Sequence, residues 1–168
     1  MLEIQIKKSV IQHAKKRMKN IQENQEVGKS KFSSEAERIF IGYIGEKIIL
    51  DFLNIKESSE TFDFDIISKK GAKLEVKTIT CKFKPKPHYW CTVNSHNLNG
   101  VHKQDADYYI FLRILNNLKK GWILGWISCE EFFKKGKFIK KGTDFGKFQF
   151  VKANATILPI NELQTFKN

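Results

Sequence analysis

Cysteine is scarce in this chain, which contains only Cys81, Cys91 and Cys129. Three thiols cannot all pair within one chain, which predicts free thiols and a reducing compartment, and an iron–sulfur cluster usually takes four cysteines. The opening residues MLEIQIKKSVIQHAKK lack the apolar centre and cleavage site of a secretory signal. No run approaches the ~18 apolar residues that span a bilayer. These absences predict a cytoplasmic protein that is not inserted in a membrane.

The sequence also lacks a glycine-rich phosphate loop, internal repeats and low-complexity segments. Without the phosphate loop there is no reason to expect ATP binding. The chain has 168 residues and is 41% apolar, which is enough for one domain with a core. We expect a single domain over 1–168, with a basic helical extension (1–30), a core (34–128) and a C-terminal helix with edge strands (129–168).

Acidic residues are sparse in two stretches of this basic chain, whose net charge is +12. Residues 67–103 contain eight lysines against one acid, and residues 131–152 contain seven lysines against two acids. Such a charge favours polyanions, either nucleic acid or an anionic membrane surface. A solvated lysine-rich surface would give a similar count, but we favour nucleic acid.

Two helices are expected in the first third of the chain. Apolar residues recur at helical steps over 4–24, at Ile4, Ile11, Ala14, Met18 and Ile21. This helix either packs on the domain, which we favour, or forms a basic arm that touches a phosphate backbone. A second helix is expected over about 34–54, and its apolar positions nearly encircle it, which predicts burial. Its Gly42 and Gly45 would allow a close approach by another backbone or a ligand.

The remaining elements are mostly strands, which are expected at 62–68, 73–79, 89–93, 107–115 and 122–128. A polar loop or short helix is expected at 95–106 and a short helix at 130–135. One or two edge strands are expected within 147–160. Trp90, Trp122 and Trp126 are expected in the core, the last two on one face of their strand. The fold class is therefore α/β, a mixed β-sheet flanked by helices with an extra N-terminal amphipathic helix.

The segment FDFDIISKKGAKLEVK concentrates charge on one face of an expected hairpin. Side chains alternate along a strand, so Asp63 and Asp65 share one face of the first strand. Glu75 and Lys77 likewise share a face of the second. An odd-numbered loop near Gly71 would place Asp65 opposite Glu75 or Lys77, and three-residue hairpin loops commonly use a left-handed glycine. A two-residue turn would separate the charged groups.

Carboxylates a few ångströms apart repel one another unless a cation lies between them. Mg²⁺ suits this position, because it accepts carboxylate oxygens and keeps positions for water and phosphate oxygens. Lys77 could then orient or activate a water and stabilise charge on the phosphate. Glu46 has apolar neighbours on its helix and needs a partner, such as the metal or its bound water, because burying an unpaired carboxylate is costly. The alternative is that Glu75 and Lys77 belong to an ordinary solvated strand face.

Taken in order, these residues resemble the PD-(D/E)XK nuclease superfamily, which has the restriction-endonuclease-like fold. The similar segments are Gly45-Glu46, Phe64-Asp65-Ile66-Ile67, Glu75-Val76-Lys77 and Lys103-Gln104 before DYYIFLRI. The resemblance covers about 34–114 and extends to small phage-encoded nucleases and Holliday junction resolvases. Phe64 stands where the family has a proline, and Asp63 is an alternative to Asp65 as the family's aspartate.

The resemblance implies a role for each matching residue. Asp65 and Glu75 would hold the metal, and Glu46 would complete the metal shell directly or through water. Lys77 would position or activate the attacking water, and Gln104 would support the site or touch the substrate. The implied cofactor is Mg²⁺, for which Mn²⁺ can substitute.

A basic loop with interleaved aromatics, KFKPKPHYW, follows the second strand of the hairpin. Such a segment suits a nucleic-acid backbone, although a plain connector is the alternative. The expected DNA-binding residues are Lys82, Lys84, Lys86, His102, Lys103 and Gln104.

We therefore expect a divalent-metal-dependent nuclease that hydrolyses DNA phosphodiester bonds by direct attack of water. Its partner would be double-stranded or branched DNA, in phage DNA processing, recombination or repair, within the host cytoplasm if the protein is phage-encoded. The alternatives are a catalytically silent nucleic-acid-binding module of the same fold and an RNA-processing nuclease. Homodimerisation is a further alternative, and the helix over 4–24 could provide its interface.

Overall fold

The structure is a computed structural model that describes residues 1–24, 33–56, 64–94, 105–144 and 153–166. The elements in chain order are β1 (Leu2–Gln5), α1 (Lys8–Asn24), α2 (Ser33–Leu53), β2 (Ile66–Ile67), β3 (Lys73–Cys81), β4 (Trp90–Asn94), β5 (Tyr108–Leu115), β6 (Lys120–Ser128), α3 (Cys129–Lys135), β7 (Lys137–Ile139) and β8 (Ala155–Pro159). This confirms the mixed α/β class. Across the described ranges, no helix is both long enough and apolar enough to cross a membrane.

Five strands form one mixed sheet in the order β1-β6-β5-β3-β2. Within it β3 and β5 run parallel, whereas the other neighbouring pairs are antiparallel. The remaining strands form an antiparallel sheet in the order β4-β8-β7. Helices α1 and α2 cover one face of the larger sheet, and the smaller sheet and α3 cover the other face.

Apolar side chains accordingly form two cores, one on each face of the larger sheet. The helix-side core joins α1 and α2 to this sheet, and its fully buried members are all aliphatic. The inter-sheet core joins the opposite face to β4, β8 and α3, and it contains the buried aromatic rings of Tyr109, Phe111, Trp122 and Phe132. Because side chains alternate along a strand, β5 supplies both cores at once.

The expected helix over 4–24 is wrong at its start. Residues Leu2–Gln5 form a strand that pairs antiparallel with β6, and the helix begins only at Lys8. So short a strand is stable only against a neighbour, which the local sequence does not reveal. The favoured interpretation of the helix, packing, is confirmed, because Val10 and Ala14 are buried in the helix-side core.

The second helix, α2, lies close to the expected position, and its tight packing depends on one glycine. A Cβ atom at Gly45 would lie 1.8 Å from Oγ1 of Thr78 on β3. A Cβ at Gly42, almost one turn earlier, would have no heavy atom within 4 Å. Gly45 therefore brings the helix against the sheet, whereas Gly42 faces open space.

A β-bulge corrects the expected placement of two tryptophans. The register between β5 and β6 shifts between Phe111 and Leu112, which leaves Leu124 as the extra residue. The extra residue inverts the alternation of β6. Trp122 therefore lies in the inter-sheet core and Trp126 packs on the helix-side core, so the expectation that they share a face is wrong.

Two expectations about the smaller sheet are also wrong. The tail segment within 147–160 supplies an inner strand, β8, which lies between β4 and β7 and is buried in all but its last residue. Its neighbour β7 (Lys137–Ile139) has three residues, which is too short for a strand to be predicted from alternating apolar side chains. Trp90 is 43% exposed rather than in the core, because Cys91 and Val93 provide the buried face of β4.

Candidate active site

The hairpin between β2 and β3 has an odd-numbered loop. The backbone N–H of Ser68 donates to the carbonyl of Ala72 at 2.8 Å. Three residues, 69–71, therefore form the loop, and Gly71 adopts a φ of 85°. This left-handed conformation is one that glycine adopts without steric cost. The parity required for the carboxylates to meet is confirmed.

Asp65 lies just before β2, at the edge of β3. Ile66 is opposite Leu74, and the same register places Asp65 opposite Glu75. The backbone N–H of Asp65 donates to the Leu74 carbonyl at 2.9 Å, and its carboxylate accepts the backbone N–H of Val76 at 2.7 Å. Within the described residues, β2 pairs with only the first two residues of β3, so the Asp65 carboxylate occupies the edge where that pairing stops.

Glu75 and Lys77 share one side of β3. Glu75 is only 7% exposed, and the Lys77 ammonium donates to its Oε1 at 2.6 Å. The same ammonium lies 6.0 Å from the centre of the Tyr109 ring, whose face attracts a cation. The buried carboxylate is thereby paired, and Lys77 is held beside it.

Glu46 reaches the site from α2 and is paired with a residue of α1. It is 8% exposed, and the Arg17 guanidinium donates to its Oε2 at 2.5 Å. The guanidinium also stacks over the Tyr43 ring, with 4.0 Å between its central carbon and the ring centre. Stacking on Tyr43 therefore orients the Arg17 guanidinium, and Arg17 in turn pairs with Glu46 across the interface between α1 and α2.

Arg17 is the site residue that sequence reasoning missed. It lies within the basic run Lys15–Lys19, where nothing distinguishes one cation from the next. Its spacing is the available signal, because Arg17 follows Val10 by seven positions and Ala14 by three. That spacing places it beside the buried stripe of α1.

The three carboxylates Glu46, Asp65 and Glu75 influence one another electrostatically. Burial, followed by the charges of Glu75 and Glu46, raises the pKa of Asp65 to about 8. Burial also raises the pKa of Glu46, which the charge of Glu75 reinforces and the Arg17 guanidinium opposes. The neighbouring negative charges therefore disfavour ionisation of Asp65 and Glu46, a repulsion that a cation would relieve.

This carboxylate cluster fits a hard divalent cation by donor type, since Mg²⁺ prefers carboxylate oxygens. In the part of the chain that the structure describes, no three His, Cys, Asp or Glu side chains are arranged as metal ligands. Each carboxylate instead faces a protein donor: Arg17, Lys77 or the backbone N–H of Val76. A bound cation would therefore share these carboxylates with their present donors or displace those donors.

The expected DNA-binding lysines next to β3, Lys82, Lys84 and Lys86, are all exposed. Phe83, between the first two, is 77% exposed. Their positions are compatible with contact to a phosphate backbone. The expected site residues His102, Lys103 and Gln104, together with the alternative ligand Asp63, lie outside the described residues.

No family model matches this chain, and no curated protein matches it at a significant level.

Proposed function

We propose that the chain is a divalent-metal-dependent nuclease with a restriction-endonuclease-like core, which hydrolyses DNA phosphodiester bonds. The observation that supports this function best is that Asp65 lies opposite Glu75 of β3, with Lys77 paired to Glu75 and Glu46 near enough for its charge to raise the pKa of Asp65. Burying carboxylates close together is costly, and the raised pKa values of Glu46 and Asp65 reflect that cost. Such a cluster is readily explained by a bound cation.

In this proposal Asp65, Glu75 and Glu46 hold Mg²⁺, for which Mn²⁺ can substitute. When bound, the metal supplies positive charge that polarises phosphate oxygens and lowers the pKa of a bound water. The backbone N–H of Val76 orients the Asp65 carboxylate at the edge of β3. Release of Glu46 from Arg17 would free a further oxygen donor.

Lys77 is proposed to act on the substrate. Its ammonium lies on the same side of β3 as Glu75 and donates to Glu75 Oε1 at 2.6 Å. It would orient the attacking water and stabilise negative charge that develops on the phosphate. In-line attack requires the water, the phosphorus and the leaving oxygen to be aligned, and groups held in place beside the metal would favour that alignment.

DNA is the proposed partner because of the charge around this site. The exposed residues Lys82, Lys84 and Lys86 follow directly on β3, the strand that carries Glu75 and Lys77. Lysine contacts to phosphates supply binding that is independent of sequence and sensitive to salt. Homodimerisation stays a prediction.

The test is cleavage of plasmid, linear and branched DNA with Mg²⁺, with Mn²⁺ or with EDTA. We expect cutting only with metal, and Glu75→Gln and Lys77→Ala should bind DNA but reduce cleavage by about 10²-fold or more. Glu130→Gln, an exposed carboxylate of α3, is the control and should cut normally. Cleavage that persists in both site variants would contradict the mechanism.

A second candidate is a catalytically silent nucleic-acid-binding module, and the ion pairs favour it. Arg17 and Lys77 already neutralise Glu46 and Glu75 without any metal. This candidate predicts that EDTA leaves binding unchanged and that DNA and RNA substrates remain intact with either metal. Cleavage of RNA alone would instead identify an RNA-processing nuclease.

A further inference from the structure

A groove of about 380 Å³ runs beside the carboxylate cluster, between the first half of α2 and the outer part of β3. Its volume is within the ~300–1,000 Å³ that is usual for pockets that bind small molecules. The residues that line the groove include Arg38, Ile39, Gly42, Lys77, Thr78 and Ile79. Lys77 belongs to both the groove and the candidate active site, so the two are continuous.

The two glycines of α2 explain why this groove exists. At Gly45 the helix presses against Thr78, and no side chain would fit between them. At Gly42 a Cβ would meet no heavy atom within 4 Å, so the helix surface recedes there. The groove is therefore open at the position where the helix has no side chain.

The groove combines apolar walls with positive charge. Ile39 on α2 is 38% exposed and Ile79 on β3 is 48% exposed, and these are two of the large hydrophobic side chains left in contact with solvent. Arg38 and Lys77 add cationic groups, although Glu35 also lines the groove and opposes them. Apolar surface suits the face of a nucleobase, and a cation suits its phosphate.

A buried polar atom in the groove lining also lacks a partner. Oγ1 of Thr78 is inaccessible to solvent and has no hydrogen-bond partner among the described residues. Buried hydroxyl groups are normally satisfied, and unsatisfied ones often mark an absent ligand or water. The hydroxyl lies against Gly45, so rotation of the Thr78 side chain would be needed to turn it toward a nucleotide in the groove.

We propose that this groove holds one unpaired nucleotide of the DNA strand, next to the phosphate that is cut. The proposal rests on the nuclease function above and narrows its substrate to DNA that contains a single-stranded segment. A base within a duplex has both faces stacked and its edge paired, so it cannot enter the groove without leaving the helix. An unpaired base can enter, and its own phosphate would then lie at Lys77.

The decisive experiment compares Gly42→Leu with Gly42→Ala. Leucine would fill the groove, whereas alanine would add only a methyl group in open space. Binding of labelled single-stranded DNA and of a blunt-ended linear duplex would be measured by fluorescence anisotropy in EDTA. We expect Gly42→Leu to weaken single-strand binding about tenfold, the usual effect of losing one stacked base, and to change duplex binding less than about twofold. Gly42→Ala should bind both as the wild type does.

A second pair of variants tests the β3 wall. Ile79→Glu places a negative charge in the groove, and Thr80→Glu places the same charge one residue further along, outside the lining. Only Ile79→Glu should weaken single-strand binding selectively. Circular dichroism tests whether each variant is folded. If Gly42→Leu does not fold, the comparison of Ile79→Glu with Thr80→Glu decides whether the groove binds single-stranded DNA.

The results separate this proposal from the proposed function. Equal effects of a folded Gly42→Leu or Ile79→Glu on single-stranded and duplex DNA, or no effect on either, would overturn the groove proposal. If the groove proposal is overturned in this way but the wild type cuts DNA, the nuclease proposal still stands. If the wild type cuts nothing but its single-strand binding depends on Gly42 and Ile79, the groove is supported and the nuclease proposal fails.

Discussion

The two cores of this protein differ in composition and in what lies at their borders. The inter-sheet core is rich in aromatic rings, with Phe132 stacked on Phe111 at 5.5 Å between ring centres. The helix-side core is aliphatic, and the buried acid Glu46 lies on one of its helices beside buried isoleucines. Aromatic packing adds stability, whereas a buried carboxylate lowers it unless it is paired. Both cores border the site, because the Tyr109 ring of the inter-sheet core lies 6.0 Å from the Lys77 ammonium. The difference indicates that the inter-sheet core stabilises the fold mainly through its rings, whereas a helix of the helix-side core also carries a buried charge.

The largest expected effect on stability is in the inter-sheet core. Phe132→Ala removes a fully buried ring that packs against Tyr109 and Phe111, which should lower the free energy of unfolding by about 4 kcal/mol. Urea denaturation measures this loss. Phe133→Ala, at a partly buried position, is the control and should cost less. A Phe132→Ala loss below about 1 kcal/mol would mean that this core does not dominate stability.

An intermediate effect is expected where the helix-side core meets the site. Arg17→Gln leaves the Glu46 side chain, which is 11% exposed, without its cation, and should cost about 3 kcal/mol near neutral pH. Mg²⁺ should raise the melting temperature of this variant more than that of the wild type, because the metal would replace the lost charge.

The matched control is Lys47→Gln, on the same helix as Glu46. Its partner Asp51 has a side chain that is 49% exposed, so loss of this pair should cost less than about 1 kcal/mol. Equal losses in the Arg17 and Lys47 variants would show that the Arg17–Glu46 pair behaves like a surface salt bridge.

A smaller effect concerns the pH dependence of Asp65. Its folded-state pKa is about 8, well above the ordinary value of 3.8, so the folded protein binds more protons than the unfolded chain between these values. Stability is therefore lost as pH rises through this window, by about 2 kcal/mol between mildly acidic and mildly basic pH. Urea denaturation in EDTA at several pH values measures the slope.

Asp65→Asn removes this titration and should flatten the slope. Mg²⁺ should flatten the wild-type slope as well, because it favours the ionised carboxylate. A wild-type slope that matches that of Asp65→Asn in EDTA would mean that Asp65 titrates at an ordinary pKa and that its burial is not costly.

The parts of the site that follow from local periodicity could be read from the sequence. Strand alternation correctly places Glu75 and Lys77 on one side of β3. A three-residue and a two-residue loop at Gly71 are both compatible with the sequence, and the protein has the three-residue loop. Asp65 follows from that loop, because register passes from residue to residue along a hairpin.

The remaining parts depend on partners that are distant in sequence. Arg17 meets Glu46 only because α1 packs on α2, and β1 is a strand only because β6 offers an edge. The bulge at Leu124 depends on how two particular strands twist together, and it exchanges the faces of the sheet on which the later side chains of β6 lie. Such features are set by tertiary contacts, which a local pattern does not contain.

The position of β8 has a consequence for the order in which the protein folds. β4 completes its hydrogen bonds only by pairing Trp90 with Pro159 and Asn94 with Ala155, across a long intervening segment. Pairing between strands so distant in the chain is slow, because a long loop must close first. During synthesis on the ribosome, β4 would lack its partner strand until β8 emerges, and its buried-face residues Cys91 and Val93 would be exposed. The smaller sheet is therefore expected to form last, and this interval is when the chain is most exposed to aggregation through β4.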